Sequence, residues 1–90
     1  MKDFDKIIWR NALTFVDFFA VWCGTCRAMT PVIDRFQKQM NGRTDVYRMD
    51  IEDPDLLEIV RRYNIVSVPT LMFFRRGEVL WRESGRVDYE

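Results

Sequence analysis

Phe4, Ile7 and Ile8 recur at helical spacing among Asp and Lys residues, which predicts a short amphipathic helix within residues 3–11. The pattern then changes. Residues 13–20, Leu13 to Ala20, form an almost continuous apolar run interrupted only by Asp17, as expected of a strand buried on both faces. A glycine-containing segment follows, and then a second helix with apolar positions Met29, Ile33, Phe36 and Met40. Pro31 lies inside that helix and is expected to kink it, and Gly42 stands where a C-terminal cap belongs. Residues 45–51 read as a second strand carrying Val46, Met49 and Ile51. Asp53-Pro54 has the form of an N-cap followed by a first-turn proline, and Leu56, Leu57, Val60 and Tyr63 complete a third helix ending near Asn64. Thr70 to Phe74 is a third strand, Arg76-Gly77 a turn, and Val79 to Arg82 a fourth strand returning in a hairpin.

This order predicts a layered α/β domain with a mixed four-stranded sheet flanked by helices. A helical crossover makes the first two strands parallel, and the hairpin makes the last two antiparallel. Ninety residues, 1–90, suit one small domain, and an apolar fraction of 48% with seven Phe supplies its core. Fourteen Lys and Arg balance fourteen Asp and Glu, so there is no electrostatic pull toward nucleic acid or anionic lipid. The sequence has no apolar run long enough to span a membrane and no apolar core to its first residues, so a cytoplasmic protein is expected.

Composition also narrows the chemistry. There are two cysteines and no histidine, too few thiols for a disulfide framework and no imidazole to act as base or ligand. Both cysteines lie in Trp22-Cys23-Gly24-Thr25-Cys26, between the first long strand and the kinked helix. Two cysteines placed at random in such a chain fall three apart only roughly 2% of the time. Cys23 is expected at a helix N-terminus, where free N–H groups and the dipole favour a thiolate, the attacking form of cysteine. Cys26, one turn deeper, is placed to displace a bound substrate and close an internal bridge. That order predicts an exposed nucleophile at Cys23 and a buried resolving thiol at Cys26. Gly24 allows the tight turn between them and leaves room for a substrate chain. Two thiols without imidazole do not make a zinc site, although two chains bridging a metal or iron–sulfur cluster remain an alternative.

Val16-Asp17-Phe18-Phe19-Ala20 running into Trp22-Cys23-Gly24-Thr25-Cys26 resembles the thioredoxin family. Further matches are Pro31, five residues after the second cysteine, the Val68-Pro69-Thr70 loop, the Arg76-Gly77-Glu78-Val79 hairpin turn, and Gly85. The likeness runs from about residue 4 to residue 86. Three features depart from the family pattern: Thr25 replaces a proline, Phe19 replaces a tryptophan, and the usual N-terminal strand and last helix have no counterpart.

The resemblance implies a thioredoxin-like fold and a protein disulfide reductase recharged from NADPH by a thioredoxin reductase, with no bound cofactor. It implies that Asp17, the lone charge in its strand, takes the proton of Cys26, through water. Val68-Pro69 is expected to be cis, against a background of about one X–Pro bond in twenty, with the Val68 backbone pairing to an extended substrate. Trp22, Gly24, Thr25, Val68, Pro69 and Gly85 are the expected substrate-binding residues, with Ile51, Ser67 and Ser84 as further groove positions. Arg48 stands in place of a lysine near Asp17. Trp9 and Trp81 are assigned to packing, and Arg61-Arg62 and Arg75-Arg76 to solvated faces. Alternatives are an oxidase or isomerase, or a binding subunit of the same fold. Because so few residues follow Gly85, Phe15, Leu71 and Phe73 are expected to be partly uncovered, with self-association or a longer natural chain as the consequence.

Overall fold

The computed structural model describes residues 3–88, with side chains through Gly85. Helix α1 (Phe4–Ile8) leads into strand β1 (Leu13–Phe19), helices α2 (Gly24–Ala28) and α3 (Thr30–Met40), and strand β2 (Thr44–Asp50). A 3-10 turn (Pro54–Leu56) opens helix α4 (Leu57–Arg62), and strands β3 (Ser67–Arg75) and β4 (Glu78–Asp88) complete the sheet. The strand order is β2-β1-β3-β4, with β1 parallel to β2 and antiparallel to β3, and β3 antiparallel to β4.

Period-two alternation divides the aromatic residues between the two faces of this sheet. On one face Phe18 and Phe74 meet Phe4 of α1, at ring-centroid distances of 6.3 and 5.8 Å, and Tyr63 after α4 lies 5.9 Å from Phe4. On the other, Phe15 and Phe73 meet Phe36 of α3 at 5.4 and 5.9 Å. Asp17 lies two residues from Phe15 and so faces the side of α2 and α3. The face predicted to be bare is therefore only partly so. Phe15 is buried beneath Phe36, whereas Leu71 and Phe73 stay half-buried in an apolar cleft of about 200 Å³ shared with Val32 and Trp81.

Several local expectations are refined. Pro31 ends one helix and starts another rather than kinking a single one. It has no N–H to give to the Arg27 carbonyl, so Met29 both closes α2 and opens α3. Asn41, at φ 48°, is the C-cap of α3, and Gly42 follows at φ 83°. Asp53 caps the 3-10 turn by accepting from the Asp55 N–H at 3.0 Å. β4 runs to Asp88 where a strand ending at Arg82 was expected; Tyr89 and Glu90 lie outside the described residues. Trp9 is not a core residue. It is 64% exposed and lays its indole over Gly77, where an added Cβ would come within 2.8 Å of the ring. Gly77 also needs its φ of 82° for the turn, so packing and turn geometry make the same demand. The N–H groups of Arg76 and Gly77 bond the carbonyls of Arg10 and Ile8 and pin the first helix to the hairpin. Arg62 is not merely solvated, since it pairs with Asp5 of α1 and Glu58 of α4.

Candidate active site

The end of β1 delivers the chain to the site. The Cys23 N–H bonds the Ala20 carbonyl at 3.1 Å, and the Ile51 N–H bonds the Phe19 carbonyl at 2.9 Å, closing the sheet beneath the turn. Cys23 is then the N-cap of α2, in extended backbone geometry, and its Sγ accepts from the Cys26 N–H at 3.1 Å. The sulfur does the work that a serine or aspartate oxygen does at other helix starts.

One expectation is corrected here. Cys23 is only 1% exposed, as buried as Cys26, rather than standing free at the helix end. The cause is the neighbouring loop. The Val68-Pro69 peptide is cis, and the Val68 carbonyl lies 3.9 Å from Cys23 Sγ. Gly85 of β4 backs this loop so closely that an added Cβ would come within 2.4 Å of the Pro69 nitrogen and 2.5 Å of Val68. The β3–β4 register shifts between Val68 and Thr70, opposite Gly85, because Pro69 has no N–H to give to a ladder. Gly85 is thus a spacer for the loop as well as part of the groove wall.

Asp17 is fully buried beneath the dithiol face. Arg48, its partner across β1 and β2, reaches back with Nε 3.3 Å from Asp17 Oδ2 while its guanidinium lies 5.0 Å from the centroid of Phe19. Asp17 Oδ1 has no hydrogen-bond partner among the described residues. Burial pushes the Asp17 carboxyl above the ordinary carboxylate range, and the charge of Arg48 only partly opposes this. Cys26 is pushed up to about 11, first by burial, then by its hydrogen bond to Cys23, with the charge of Asp17 adding to the rise. At neutral pH the Cys26 thiol therefore holds its proton, near a buried carboxyl whose Oδ1 is unpartnered among the described residues.

The remaining predicted residues separate into two sets. Thr25, Pro69 and Gly85 line one groove of about 320 Å³ with Met29, Leu71, Glu83 and Ser84. Trp22 is 46% exposed beside the dithiol, and Gly24 is exposed. Val68, Ile51 and Ser67 are buried instead. Ile51 belongs to the core under Phe19 because the sheet closes there, so it is not a groove residue. Sequence reading missed Met29, Leu71 and Glu83. Leu71 and Glu83 face each other through the β3–β4 register, which no local pattern discloses. Among the described residues no group of three or more His, Cys, Asp or Glu side chains gathers into a metal cage, and no helix is long and apolar enough to cross a membrane.

A Cys-x-x-Cys pair at a helix start, roofed by a cis-proline loop, is an arrangement in which dithiol–disulfide exchange is chemically possible. The thioredoxin family model matches residues 1–90. Thioredoxin of Rickettsia felis is 45% identical over 64 residues, which is 70% of this chain and 58% of that protein. Thioredoxin-1 of Saccharomyces cerevisiae is 33% identical over 84 residues, covering 93% of this chain and 79% of that one. The crystal structure of thioredoxin from Trypanosoma brucei brucei superposes with a TM-score of 0.85 at 25% identity, covering 94% of this chain and 73% of the other. The chain belongs to the thioredoxin family.

Proposed function

We propose that this domain reduces disulfides in proteins by exchange through Cys23 and Cys26. The observation that carries the reading is the Cys23 sulfur, capped by the Cys26 N–H and roofed by the Val68 carbonyl. An extended substrate segment pairs with the Val68 backbone, between exposed Trp22 and Gly24 on one side and the groove walled by Thr25, Pro69 and Gly85 on the other. The Cys23 thiolate attacks one sulfur of the substrate disulfide. That S–S bond breaks, a Cys23–substrate disulfide forms, and the other substrate sulfur leaves as a thiolate that takes up a proton. Cys26 then gives its proton, through water, to Asp17 and attacks Cys23 Sγ. The Cys23–Cys26 bond forms, the second substrate thiol departs, and two electrons have passed from the dithiol to the substrate.

In this reading no cofactor is bound. NADPH recharges the disulfide through a thioredoxin reductase, and the partners are that reductase and disulfide-containing proteins in the cytoplasm. The deciding measurement is the Cys23–Cys26 reduction potential in a glutathione buffer. A value below that of the glutathione pool is expected for a reductase, and a value above it would make the protein an oxidase or isomerase.

Asp17 supplies a second test. Its folded pKa is raised, so the fold favours the protonated acid, and ionisation costs stability as pH rises above the ordinary carboxylate value of 3.8. Asp17→Asn should therefore stabilise the domain at neutral pH relative to low pH, with the gain vanishing below that value. The same change should slow decay of the mixed disulfide on the order of a hundredfold while leaving its formation nearly untouched. Thermal melts against pH and rapid-quench kinetics read the two effects. Equal slowing of both steps together with lower stability would make Asp17 purely structural.

A further inference from the structure

The groove beside the dithiol has a chemically one-sided lining. Met29, Pro69 and Leu71 give it an apolar floor, Thr25 and Ser84 add hydroxyls, and Glu83 is its only charged wall. Glu83 is exposed on β4 and has no ion-pair partner among the described residues. Its position follows from the sheet, because Glu83 faces Leu71 across β3 and β4 and Leu71 shares a face with Asp17 through the β1–β3 register. The carboxylate therefore overlooks the groove on the dithiol side of the sheet. Arg27 of α2 does not line this groove, since it donates from Nη1 to the Val21 carbonyl at 2.6 Å. Among the described residues lining the groove, a substrate chain thus meets an apolar floor and a single charge, the negative one of Glu83.

We propose that Glu83 is a specificity-determining residue that favours substrates carrying Lys or Arg close to the reacting disulfide and disfavours those carrying Asp or Glu there. This rests on the disulfide-reductase reading and adds the substrate class to it. The physical basis is charge complementarity at a partly desolvated rim, which acts on encounter and orientation and weakens with salt. It involves no new bond, since the exchange at Cys23 is unchanged and only the approach of the substrate is biased.

The test uses three disulfide-linked peptides identical except for Lys, Gln or Glu two residues from the cysteine. Each rate of reduction is divided by the rate with dithiothreitol, which removes the effect of the flanking charge on the disulfide's own reactivity. For the wild-type chain the normalised kcat/KM should favour the Lys over the Glu peptide by about fivefold at low ionic strength, and less at high salt. Glu83→Gln should bring the ratio close to one and Glu83→Lys should invert it. Glu78→Gln, at the far hairpin turn, should keep the wild-type ratio. An undiminished preference in Glu83→Gln, or equal loss in Glu78→Gln, would overturn the proposal while leaving the reductase reading intact. Failure of the wild-type chain to reduce any of the three would overturn both.

Discussion

Cys23→Ser should bring protein disulfide reduction down to background, a loss of about a thousandfold or more, because no other side chain in the groove can form the first covalent bond. Cys26→Ala should behave differently. It keeps the attacking sulfur but removes the only group that can release the substrate, so a stoichiometric Cys23–substrate disulfide should accumulate and survive gel electrophoresis without reductant. The asymmetry follows from position. Cys23 Sγ caps the helix against the Cys26 N–H and lies next to the Val68 carbonyl that an incoming chain would engage, whereas the Cys26 thiol, pushed up to about 11, stays protonated until its proton is taken. Mass spectrometry of the trapped species decides the matter. Substrate found on Cys26 in the Cys23→Ser protein, with none trapped on Cys23 in the Cys26→Ala protein, would reverse the two roles.

The second large effect is expected at a residue with no side chain. Gly85→Ala places a methyl group within 2.4 Å of the Pro69 nitrogen and 2.5 Å of the Pro69 ring and the Val68 carbonyl carbon. Neither backbone nor a proline ring yields as the end of a flexible side chain would, so the loop or β4 must shift. The expected cost is about 1–3 kcal/mol, a fall in Tm of roughly 10 °C for a domain of this size. Displacing Val68 from Cys23 should also slow attack on protein disulfides. Gly42→Ala is the informative comparison. Its φ of 83° is left-handed, unlike that of Gly85, but nothing lies within 4 Å of the added Cβ, so it should cost about 1 kcal/mol of backbone strain and leave exchange rates alone. Circular-dichroism melts and insulin-reduction rates on both variants are sufficient. Equal behaviour of the two would show that the Val68-Pro69 loop does not depend on Gly85.

The parts of this protein legible in its sequence are those that local chemistry decides. The almost continuous apolar run from Leu13 to Ala20 called for a strand buried on both faces, and the observed order places β1 between β2 and β3. The Asp53-Pro54 pair announced a helix start, Arg76-Gly77 a tight hairpin, and the spacing of Cys23 and Cys26 a dithiol on one helical turn, because caps, turns and one-turn spacings depend on neighbouring residues only. What tertiary structure alone decided depends on residues far apart in the chain. The burial of Cys23 is imposed by Val68, forty-five residues away. The removal of Ile51 from the groove follows from sheet closure at Phe19, and the pairing of Arg48 with Asp17 follows from the β1–β2 register. Glu83 reaches the groove because β3 and β4 align it with Leu71, and a slip of one residue would turn it to the opposite face. Gly85 was legible as a residue of the site, but its function as a spacer was not. That function is defined by the atoms of Val68 and Pro69 packed against it, and only the folded sheet brings them there.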